Sequence, residues 1–222
     1  MMKNSKLWLV NIFFFLVSLS FQSIAGQVHA LVKDNEGEIV EDAVVTAIPV
    51  DINSIPKQKN NKQIVDQIDK EFLPFIKVVY VNTLINFPNK DDIRHHVYSF
   101  SGAKTFNLPL YSGSNAPHVL MDKPGIVMLG CNIHDWMIGY IYVSNTPYFA
   151  KTGQKDIALI TDIPAGEYTL RVWHPRMIVD EESTSKRVKI SASVDTIIDW
   201  QLALKSEFKI PRISIVDRNG PY

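Results

Sequence analysis

Short runs of β-branched and aromatic residues, each closed by Gly, Pro, Asn or Asp, recur along most of this chain. They are Val28 to Val32, Ala43 to Val50, Phe75 to Val81, His96 to Phe100, Gly125 to Leu129, Ile138 to Val143, Ile157 to Ile160, Tyr168 to Trp173, Val188 to Ser191 and Thr196 to Leu204. Runs this short, so regularly interrupted by turn formers, suit strands of a sandwich better than amphipathic helices. The expected class is therefore all-β. Only Lys59 to Phe72, rich in Lys, Asn, Gln and Asp and free of Gly and Pro, reads as a helix or a charged linker with a solvated face.

The 222 residues carry 23 basic and 23 acidic side chains, so no basic field draws nucleic acid to the chain. A single cysteine excludes an internal disulfide and any multi-cysteine cluster. Lys3 and Lys6 precede the apolar run Leu7 to Phe21, and Ser23-Ile24-Ala25 follows, which is the pattern of an export signal cut after Ala25. The run is shorter than the roughly 20 residues of a spanning helix and contains Asn11, so no stable membrane insertion is expected after cleavage. The expected location is the periplasm.

The two ends of the remaining chain look alike. Val32 to Val40 sets Asp34, Asn35 and Gly37 between apolar runs, as a hairpin requires, and Thr161 to Val172 has a similar turn followed by a strand. Both resemble the regulatory β-sandwich modules appended to carboxypeptidases. The flanks then form either one sandwich with the centre inserted into it or part of two sandwiches in series.

The chemistry lies in the centre. Cys131-Asn132-Ile133-His134-Asp135-Trp136-Met137 places a thiol, an imidazole and a thioether in one loop between two strands. Soft sulfur suits Cu(I), imidazole suits Cu(II), and a weak thioether adjusts the balance between them. A second imidazole must come from elsewhere, and His95-His96 supplies it. Successive strand residues face opposite ways, so only one of the two can enter the site. His29, His118 and His174 read as structural histidines, and Met121 and Met128 as core.

Cys-x-x-His-x-x-Met with an upstream His resembles the cupredoxins, with a loop spacing similar to that of amicyanin. Further segments extend the likeness: Phe87 to Asp91, His95 to Ser101, Leu108 to Tyr111, Gly130 to Asp135 and Thr146 to Phe149. Together with Val65-Asp66-Gln67 and Thr161 to Pro175, they resemble the cupredoxin-domain proteins called methylamine utilization proteins. The resemblance implies a Greek-key β-sandwich and one type 1 copper ion held by His95, Cys131, His134 and Met137. His95 stands where cupredoxins place the first residue of His-Asn-Val; His96 replaces the Asn. The resemblance also implies an electron port at His134, ringed by Ile133, Trp136 and Pro147, where redox partners dock transiently.

The expected organisation is a signal peptide over 1–25, first strands of the small sandwich and a linker over 26–65, and the cupredoxin domain over 66–150. The rest of the small sandwich follows over 151–205, with a tail over 206–222. Four protein ligands leave no open coordination position, so the expected role is single-electron transfer rather than catalysis. The alternatives are a copper carrier or store and a metal-free binding module.

Overall fold

The computed structural model describes residues 25–56, 61–115, 117–154 and 157–206. The expected signal peptide, apart from Ala25, and all but the first residue of the expected tail lie outside these. In chain order the strands begin with β1 (Gly26–Asp34), β2 (Val44–Pro49), β3 (Asn61–Ile64), β4 (Asp66–Ile68), β5 (Glu71–Leu73) and β6 (Ile76–Tyr80). Next come β7 (Thr83–Asn86), β8 (His95–Ser101), β9 (Lys104–Tyr111), β10 (Val119–Met121), β11 (Gly125–Cys131) and β12 (His134–Ser144). The last are β13 (Phe149–Lys151), β14 (Ala158–Ile163), β15 (Gly166–Trp173), β16 (Lys186–Ile190) and β17 (Thr196–Leu202). The chain is all-β, and no helix among the described residues is long and apolar enough to cross a membrane.

Alternation along the strands decides what they bury. In β1, Val28, Ala30 and Val32 point inward; in β15 it is Tyr168, Leu170 and Val172, and in β17 Ile198, Trp200 and Leu202. These side chains form one core between the sheet β14-β1-β17 and the sheet β13-β2-β15-β16. β1 ties the N-terminal flank to the C-terminal one by pairing antiparallel to β14 and parallel to β17. The flanking segments therefore make one small sandwich, and the centre is inserted between β2 and β13, which pair with each other.

The centre has its own core. The five-stranded sheet β6-β12-β11-β8-β9 presents Val97, Val127, Leu129 and Ile141 to Ile85, Met121, Phe87 and Phe72 from the opposing strands and loops. Its other face carries Ile76, Tyr140 and Tyr142 onto Val44 and Trp173, the outward side chains of the small sandwich. Two cores are thus stacked through a thin third layer. Burying both faces of β12 explains why its sequence is apolar almost without interruption from Ile138 to Val143.

Three expectations are corrected. Of the segment Lys59 to Phe72, residues 59 and 60 lie outside the described residues, and the rest is neither helix nor linker: it enters β3, β4 and β5, and Val65, Gln67 and Phe72 turn into the core. Apart from Gln67, their polar side chains occupy outward or partly exposed positions. Strands β7, β9, β10 and β13, too short or too polar to stand out in sequence, complete the sheets. Met121 is fully buried, but Met128 lies on the open face of β11 and is 46% exposed.

Candidate metal centre

Two strands and one hairpin build the site. Inward alternation along β11 carries Val127 and Leu129 to Cys131, which is 3% exposed at the strand's end. Asn132 and Ile133 turn the chain tightly enough for Cys131 to pair with His134. The regular ladder resumes only at the Gly130 to Ile138 pair, so Asp135, Trp136 and Met137 loop out of register. A seven-residue ligand loop read from sequence is thus a two-residue turn followed by a bulge. Gly130 packs closely beside it: a Cβ there would stand 2.7 Å from the tip of the Tyr98 ring, its partner on β8, so a side chain at 130 would displace that ring.

On β8 the choice between the paired histidines is made by the pleat. His95, Val97 and Ser99 face inward, and His95 is completely buried. His96 faces the other way, against the ring of Tyr98 at 5.4 Å. Opposite them the edge strand β9 carries an extra residue at Pro109-Leu110, where proline has no N–H to contribute to a ladder.

The ring nitrogens of His95 and His134 converge on the thiol. Cys131 Sγ lies 3.9 Å from His95 Nδ1 and 3.8 Å from His134 Nδ1, and the donor atoms of the three residues all lie within 4.8 Å of one another. With a metal–sulfur bond of about 2.3 Å and a metal–nitrogen bond of about 2.0 Å, an ion in the plane of three donors separates sulfur from nitrogen by roughly 3.7 Å. The observed spacing fits a trigonal ion of that size. Met137 is buried in the same core as Cys131, and both line one groove with Tyr98 and Met128.

Asp91, on the loop before β8, accepts a hydrogen bond from His95 Nε2 at 2.6 Å. An ionised carboxylate only accepts, so the Nε2 position carries the proton and Nδ1 is left free to face Cys131. Burial raises the Asp91 carboxyl, but donation from the Lys70 N–H, from His95 and from the Asp69 N–H outweighs it and holds the group below the usual range. His134 is held below the ordinary histidine value, first by burial and then by the charges of His95 and Lys70, which favours the neutral ring a metal needs. Tyr111, which donates to the Phe87 carbonyl at 2.5 Å, is pushed up to about 12, chiefly by burial.

Ile133 and Trp136 stand at the surface, 48% and 49% exposed, with the Trp136 ring 5.2 Å from that of His134. Pro147 is not with them. It follows the far end of β12, beyond Ser144, where Thr146 hydroxyl bonds the Ala47 carbonyl of the small sandwich. An eleven-residue strand separates the two ends by about 35 Å. The place that the cupredoxin resemblance implies for Pro147, on the rim of His134, is therefore corrected. Asp91 is the residue of the site that the ligand spacing does not reveal. The visible trace of Asp91 was a carboxylate four residues before His95.

No family model and no curated protein matches the chain. Among solved structures it is similar to a copper-containing nitrite reductase from Thermus scotoductus, with 23% identity and a TM-score of 0.35 over 40% of this chain and 23% of that one. It is also similar to a purple cupredoxin from Nitrosopumilus maritimus, with 20% identity and a TM-score of 0.33 over 38% and 99%. A reduced amicyanin variant aligns with 15% identity and a TM-score of 0.35 over 47% and 100%. The chain spans less than a quarter of the reductase.

Proposed function

We propose that this chain is an exported, periplasmic type 1 copper protein that carries single electrons between redox proteins. The observation that supports it is the convergence of one thiol and two imidazoles, with Nδ1 of each ring turned to the sulfur. His95, Cys131 and His134 would hold the ion, with the thioether of Met137 as the weak fourth donor. Copper held by this set supplies one-electron redox chemistry. His95 is locked by Asp91, Cys131 closes a strand inside the core, and both therefore keep their positions whichever charge the site carries. His134 is the partly exposed ligand and forms the port, with Ile133 and Trp136 as its apolar rim. Docking on so small a rim is transient.

The division of labour proposed for the chain is a signal over 1–25, a copper-carrying sandwich over 66–150, and a small sandwich assembled from 26–65 and 151–205 with a tail after it.

Adding Cu(II) to the purified protein is expected to give an intense visible thiolate-to-copper band and a narrow copper hyperfine splitting. Cys131→Ser is expected to abolish both. A colourless wild type with ordinary copper splitting overturns the reading.

A further inference from the structure

Asp91 is held more firmly than a carboxylate that merely touches a histidine. Besides His95, it accepts the backbone N–H of Asp69 on Oδ1 at 2.7 Å and that of Lys70 on Oδ2 at 2.9 Å. Asp69 and Lys70 are the two turn residues of the β4–β5 hairpin, and both have left-handed backbones, with φ of 54° and 62°. Neither is glycine: Asp tolerates this conformation, whereas Lys adopts it at a steric cost. The strained turn is what aims both amides at one carboxylate.

The other side of Asp91 is equally fixed. Its own N–H donates to Asn89 Oδ1 at 3.0 Å, and the buried Asn89 amide donates to the carbonyls of Ile93 and Tyr111. Lys90 joins the same loop to the hairpin through Gln67 and Asp66. A rigid negative charge therefore sits against His95 Nε2, on the side of the ring remote from Cys131.

We propose that Asp91 is a positioning residue of the metal centre, which fixes the His95 tautomer and favours the oxidised over the reduced ion, and that the β4–β5 turn is the clamp that holds it. The proposal rests on the copper reading. A hydrogen bond to a carboxylate makes the imidazole a stronger donor, and a fixed negative charge favours the more positive of two oxidation states.

The test is Asp91→Asn, which preserves size and removes the charge. With the visible band retained, the reduced-to-oxidised ratio at a fixed solution potential is expected to rise about tenfold, equivalent to ~59 mV in midpoint for one electron. A merely structural role would change folding stability without moving the potential. A blue wild type whose Asp91→Asn variant has an unchanged potential overturns the proposal and leaves the copper reading standing. A wild type with no thiolate-to-copper band overturns both. Should the variant fail to fold, long-range ¹H–¹⁵N NMR of metal-free wild-type protein decides: a proton on His95 Nε2 supports the clamp, and one on Nδ1 overturns it.

Discussion

Replacing Tyr142 by Phe tests how the two cores are joined. Tyr142 lies on β12, is 7% exposed, and donates its hydroxyl to Glu181 Oε1 at 2.5 Å. Glu181 belongs to the connection between β15 and β16, so this bond crosses the layer where the Tyr142 ring packs on Trp173 at 5.6 Å between centroids. The phenylalanine ring preserves that packing and deletes only the hydroxyl. A hydrogen bond to an ionised acceptor contributes about 1.5–3 kcal/mol, and one to a neutral acceptor about 0.5–1.5 kcal/mol. Burial already raises the Glu181 carboxyl above its ordinary value of 4.5, while the Tyr142 bond pulls it back. Without that donor the carboxyl rises further. A folded state that binds more protons than the unfolded one loses stability as pH rises through the interval between the two values. The variant is therefore expected to lose about 2–3 kcal/mol near pH 7 and about 1 kcal/mol near pH 4. Urea unfolding followed by tryptophan fluorescence at the two pH values measures both losses. Equal costs at both, or a cost below about 0.5 kcal/mol near neutrality, would refute the reasoning.

Two further outcomes follow from packing and burial elsewhere. His174 is 7% exposed and is pushed down to about 4, first by burial and then by the Arg176 charge, against the pull of Asp42. Its folded state takes up a proton later than the unfolded one, so this contribution is complete above about pH 6.5 and is lost as pH falls towards 4. The full shift would correspond to about 3 kcal/mol, and solvent screening reduces it to about 1–2 kcal/mol. His174→Gln should flatten the loss of stability between those pH values in calorimetry, and an unchanged slope would count against it. Gly139→Ala places a methyl 2.8 Å from Phe72 Cβ, which cannot swing aside as a side-chain tip can. It should lower stability by about 1–3 kcal/mol in urea titration; a neutral result would show that β5 is free to shift.

Much of the strand content was legible because a buried strand leaves a local mark, β-branched residues between turn formers. Cys131, His134 and Met137 were legible for the same reason: they fall within seven residues, and rare donor types at that spacing need no tertiary knowledge to be noticed. Residues 61–73 were misread because strands of three or four residues show too few positions for a period, and polar outward side chains dominated their composition.

What remained depended on contacts between distant segments. The resemblance already favoured His95, and the pleat of β8 supplies the physical reason that it and not His96 faces the thiol. The length of β12 carried Pro147 away from the port, and a hairpin some twenty residues upstream supplied the amides that grip Asp91. Sequence alone determined which chemical groups this protein could bring to a metal, since donor identity and short spacing are local. Only the tertiary structure decided which groups meet and what holds them, because strand pairing and packing join residues that the chain keeps far apart.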